Sequence, residues 1–201
     1  MKVFDLDSLE LKSGCHSSVD EGVCFMEVVA WANNEPHSDR PKCASPVLGN
    51  FGRCLNDRLD DEARQKLKPF ILTVGGTRND ALEQQRYEYL LNASLKVLIP
   101  IGLRDLADRI APKDLELAGR FRLHARQFEE LPKIKYALSL ALSRALSLAL
   151  SLALSLALSL SLSLDLARDL DLPPADPRKV WDAAIEIYGK AIDLTAEEVS
   201  A

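Results

Sequence analysis

Five of the seven histidine and cysteine side chains fall within one short stretch: Cys15, His16, Cys24, His37 and Cys43. Imidazole and thiolate are the ligands that zinc prefers, so His16, Cys24, His37 and Cys43 make a candidate tetrahedral zinc set that would pin a helix start to a stiff loop. The seven, twelve and five residues between them match no standard finger or ribbon. The same residues also support a plain packing reading, in which Cys24 is a small buried apolar group, His37 braces the proline-rich loop and Cys15 lies on the surface. A third reading makes Cys24 a nucleophile with His37 as its base, since a thiol in the first turns of a helix has its thiolate favoured by the helix dipole. Glu27 lies three residues on, on the same face, whereas Asp20 and Glu21 oppose thiolate formation and no oxyanion-hole pattern is present.

Other candidates carry less. Gly75-Gly76-Thr77-Arg78 lacks the spacing and lysine of a phosphate loop and reads as a turn between helices. Arg120, Arg122, His124 and Arg126 form a modest basic run, but residues two apart do not share a helix face, so solvated surface is the expectation. Trp31 and Trp181 read as core or anchor residues. Asn92-Ala93-Ser94 is a glycosylation sequon that matters only in a secreted protein.

The elements that must position these groups read as helices throughout. Ser18-Val19-Asp20-Glu21 has the capping-box form and predicts a helix through Trp31, ended by Asn33-Asn34 and Pro36. Pro36, Pro41 and Pro46 make the following stretch a stiff loop, and Ser45-Pro46 then opens a helix to about Leu59. Asp60-Asp61-Glu62 starts another, which Pro69 closes or kinks. The spacing of Leu82, Tyr87, Leu90, Leu91, Leu95 and Leu98 predicts a helix from about Asn79 until Pro100, followed by shorter amphipathic pieces over Leu103 to Ile110 and Asp114 to Phe128. Asp176-Pro177 caps a last helix from Arg178 to about Leu194.

From Leu138 to Leu172 leucine fills almost every second position and Ser-Leu-Ala-Leu recurs every four residues. Alternation is formally a strand signal, but leucine and alanine are strong helix formers, so a long helix is the expectation. Its all-round apolar surface must dock in a core, pair with another helix or enter a bilayer. Ala145 to Leu164 is 20 uncharged residues, long enough to span a membrane, with ten leucines set against six serines.

With 201 residues, 47% of them hydrophobic, the chain can bury a real core. Its net charge of -5 removes the broad basic field of a nucleic-acid binder. Four cysteines are too few for a disulfide scaffold and Met1 to Asp7 carries no apolar run, so a reducing cytoplasm is the expectation.

The segments Gly22 to Trp31 and Glu35 to Leu48, with Phe51, Asn56-Asp57, Leu67-Lys68-Pro69 and Gly76-Thr77-Arg78, resemble a family of uncharacterised bacterial and phage proteins. In that family a low-complexity helical stretch precedes a last helix. The resemblance implies that His16, Cys24, Glu27, His37, Asp39 and Cys43 belong to one constellation, and it brings no activity with it.

The whole predicts an all-α, irregular helical bundle: a module over 1–131 bearing the Cys/His cluster, a long repeat helix over 132–172 and a C-terminal helix over 173–201 that packs back. A non-enzymatic binding or assembly protein is the leading functional expectation, with a homo-oligomer or protein partner gathered through the repeat. A cysteine-dependent enzyme using Cys24 and His37, and a membrane-associated protein using residues 145–164, are the alternatives.

Overall fold

The computed structural model describes residues 6, 8–18, 20–134 and 176–194. The fold is all-α. The long helix expected over 132–172 is described only at 132–134, which are not helical, and the rest of it, with the 145–164 candidate span, lies outside the described residues. Among the described residues no helix is long and apolar enough to cross a membrane.

The chain divides into two compact units, Met1–Tyr89 with Ile185–Ala201, and Leu90–Ala184. In the first, α1 (Phe25–Ala32) is followed by α2 (Pro46–Arg58), α3 (Asp61–Gln65), a 3-10 turn (Lys68–Phe70) and α4 (Ile71–Val74). The caps explain the starts. Ser45 accepts the Leu48 N–H with Pro46 as first helical residue, and Asp60 accepts the Ala63 N–H at 2.7 Å. The end of α2 is closed by Arg64, whose Nε donates to Asn56 O and Nη2 to Leu59 O, both at 2.6 Å. A guanidinium there satisfies carbonyls that have no partner within the helix.

Helix α1 starts later than the sequence predicts. Glu21 does reach back, accepting the Ser17 N–H at 3.0 Å, but this closes a local turn and no helix follows it. The helix is held off until after Val23, because Leu11 and Val23 form an isolated parallel bridge and Lys12 N–H donates to Val23 O at 2.8 Å. The Gln65 side chain fixes Leu11 from the other side through both its backbone groups, each at 3.0 Å. These tertiary contacts outweigh the local capping signal, and the box that starts α1 is Cys24 to Glu27.

The core of this unit gathers Phe25, Phe51 and Phe70 around Tyr188 of the last helix, α8 (Arg178–Asp193). The Tyr188 ring is fully buried, stacks on Phe51 at 5.8 Å and meets Phe25 and Phe70 edge-on at 6.0 and 5.8 Å. Its hydroxyl donates to Leu48 O at 3.1 Å.

The chain enters the second unit along α5 (Glu83–Ala93), which passes through a π turn (Ser94–Leu98) directly into α6 (Ile99–Ile110). Pro100 therefore does not end the helical path as its sequence position predicts. A proline clashes with the carbonyl four residues back, here that of Lys96, and this carbonyl lies inside the widened turn, where Ile99 N–H reaches five residues back to Ser94 O. Helix α7 (Leu115–Glu129), capped by Asp114 on the Leu117 N–H at 2.8 Å, returns along α6. Leu106, Ala107, Ile110 and Ala118 form its core. Arg104 grips Glu129 with two bonds and Arg122 bonds Asp108 at 2.8 Å, so two ion pairs tie the α6–α7 hairpin together on the outside.

Candidate functional site

The Glu27 carboxylate is the hub of the cysteine and histidine region. Its placement follows from the capping box: as third residue of α1 it turns back on its own helix start, and Oε2 accepts the Cys24 N–H at 2.7 Å. Oε1 accepts the His16 N–H at 2.7 Å, and Oε2 also faces His16 Nδ1 at 3.0 Å. His37 Nε2 lies 3.6 Å from Oε1 and donates to His16 O at 2.7 Å. One side chain thus ties together the 14–22 loop, the start of α1 and the proline-rich loop. The carboxylate is 1% exposed. An ionised carboxylate only accepts, so the His16 proton sits on Nδ1, and a carbonyl only accepts, so that of His37 sits on Nε2.

Burial alone would raise the Glu27 carboxyl, but the Cys24 and His16 N–H groups and the His16 ring outweigh it and hold the group below its ordinary value. Gly22 makes room for the arrangement. Its φ is +133°, and a Cβ there would stand 2.9 Å from His16 Nε2, so the ring lies against a position that only glycine fills without strain.

The Cys24 and Cys43 thiols are not poised for attack. Burial first, and then the Glu27 charge, push Cys24 up to about 12, although its sulfur accepts the Glu27 N–H as helix cap. Burial and the Glu35 carboxylate push Cys43 up to about 11. The nucleophile is the thiolate, so both are nearly absent as nucleophiles at neutral pH. Brief treatment with iodoacetamide at pH 7.5 is therefore expected to label exposed Cys15 first and buried Cys24 last, as read by peptide mass mapping. Faster labelling of Cys24 than of Cys54 would revive the nucleophile reading.

Four of the sequence-predicted residues, His16, Cys24, Glu27 and His37, come together. Cys43 is held elsewhere: Glu35 accepts its N–H at 2.7 Å and that of Lys42 at 2.6 Å, while its carbonyl takes the Gly76 and Arg78 N–H groups at 3.0 and 3.1 Å. Asp39 turns to Arg53, whose Nη1 donates to Asp39 O at 2.9 Å. Among the described residues no group of three or more His, Cys, Asp or Glu side chains is placed to hold a metal ion. Gly75 to Arg78 is the expected turn: Thr77 Oγ1 accepts the Ser45 N–H at 3.0 Å and donates to Val74 O at 2.7 Å.

Sequence reasoning missed Asn56, which joins the start of α1 to the N-terminal loop: its Oδ1 accepts the Phe25 N–H at 3.1 Å and its Nδ2 donates to Lys12 O at 2.8 Å. No local pattern announces such a residue. The available signal for Glu27 was Cys24 standing where a capping box has serine or threonine. No protein-family model matches the chain, and no curated protein or solved structure matches it either.

Proposed function

We propose that this chain is a non-enzymatic, cytoplasmic binding or assembly protein in which the Glu27 cluster is a structural pin and the leucine-alternating segment over 132–172 supplies a surface for self-association or for a protein partner. The observation that supports it is the engagement of Glu27: its buried carboxylate accepts from two backbone N–H groups and an imidazole, and the adjacent thiol is raised out of the reactive range. A buried carboxylate held this way fixes the loops whose donors it gathers.

Zinc on His16, Cys24, His37 and Cys43 is the metal-bearing form of the same proposal. Elemental analysis of protein purified without chelator tests it, and near-stoichiometric zinc lost in Cys43→Ala would establish it. The assembly reading predicts oligomers whose mass rises with concentration in analytical ultracentrifugation and falls to that of a single chain in Leu148→Glu/Leu152→Glu. A monomer at every concentration, with no partner requirement for stability, would overturn it. Membrane association through 145–164 predicts that high salt leaves the protein in the membrane fraction.

A further inference from the structure

The stretch that follows α7 is held to the end of α5 by one side chain. Asn92 Nδ2 donates to Ile134 O at 3.0 Å, and the Ile134 N–H donates to Asn92 Oδ1 at 2.9 Å. The two bonds are reciprocal: a single carboxamide satisfies both backbone groups of one residue, as a neighbouring strand would. The partners are 42 positions apart in sequence and belong to the same compact unit. Ile134 is flanked by Lys133 and Lys135 and stands at the threshold of the leucine-alternating run.

We infer that Asn92 is a latch that fixes the point at which the chain leaves the α6–α7 hairpin for that run. The contact is specific to an uncharged amide. Aspartate would set a second oxygen against Ile134 O, and alanine would remove both bonds. While the latch is closed the Asn92 carboxamide is engaged, so the Asn92-Ala93-Ser94 sequon presents no free acceptor nitrogen. The latch stands apart from the assembly reading, because it concerns the anchoring of residues 130–134 whatever the run binds.

Limited trypsin digestion of the full chain tests it. Lys133 is exposed, but cleavage after it requires Ile134 to detach and enter the protease as extended chain. In Asn92→Ala and Asn92→Asp the rate of that cut is expected to rise by about tenfold or more, because cleavage tracks the open population when closing is fast. Cleavage after Arg120, within α7 of the same compact unit, is expected to be unchanged and shows that the unit remains folded in the variants. Hydrogen exchange of the Ile134 amide supplies the second readout, slow in the wild type and fast in both variants. Rates after Lys133 within twofold of wild type in both variants, or an Ile134 amide already unprotected in the wild type, would overturn the latch.

Discussion

Glu27→Gln is expected to lower the stability of the unit that contains it by about 3–5 kcal/mol, the range found when one member of a buried charged network is removed. The size follows from the partners. The His16 and Cys24 N–H groups and His16 Nδ1 all point at this carboxylate from positions shielded from water. Hydrogen bonds to a charged acceptor are worth about 1.5–3 kcal/mol each, and a donor left unpaired in a buried site adds its desolvation cost. Glutamine keeps the volume but presents an amide NH₂ to one of these donors, so the loss reports the charge and the acceptors, not a cavity. His37→Ala is expected to cost far less, because its ring is half-exposed and its carbonyl partner can turn to water. Urea denaturation followed by fluorescence separates the two. Equal, small effects would mean that the cluster pins nothing.

The same residue sets the sign of the acid response. Its folded-state value lies below the ordinary 4.5. The unfolded chain therefore takes up the proton first, and the contribution is complete above the ordinary value and is lost as pH falls through the folded one. Between pH 5 and strongly acidic conditions the wild type is expected to lose more stability than Glu27→Gln, so the two converge. Parallel curves would assign the acid sensitivity to other carboxylates.

Tyr188→Ala is the second large effect, with an expected loss of about 3–5 kcal/mol, as for other fully buried aromatic residues truncated to alanine. Three phenylalanines from three different parts of the chain converge on this ring. Gly52 shows how closely they fit: a Cβ there would stand 2.6 Å from Tyr188 Oη and 3.0 Å from Phe25 Cε1. Burial holds the phenol far above its ordinary value. Tyr188→Phe keeps the ring and loses only the bond to Leu48 O, at about 1 kcal/mol. A thermal shift for Tyr188→Ala no larger than that for Tyr188→Phe would show that the hydroxyl, not the aromatic packing, carries the contribution.

The helices whose starts rest on a side chain within three residues were legible in the sequence. Ser45, Asp60 and Asp114 each cap the helix they announce, since the donor and the acceptor lie in one local pattern. The start of α1 was not legible. Two capping boxes stand six residues apart there, and the choice between them is made by Gln65 and Asn56, which act on Leu11, Lys12 and Phe25 from 31 to 54 positions away. Pro100 misled for a related reason: the rule that proline stops a helix assumes a preceding α turn, and the preceding turn here is π. In the cluster, residue type identified the imidazoles and Cys24, whereas the organising part of Glu27 depends on which way the chain before Val23 runs. Cys43 shows the limit of composition, as its loop delivers it to Glu35.

The placement of Tyr188 also bears on how the protein is made. The ring that completes the first compact unit lies 99 residues beyond Tyr89, where the earlier part of that unit stops. At about 5–20 residues per second of synthesis, the part of that unit up to Tyr89 waits roughly 5–20 s on the ribosome before Tyr188 is added. The second unit is continuous in sequence and is synthesised within that interval. Through much of translation the three phenylalanines thus lack the ring on which they converge in the finished fold.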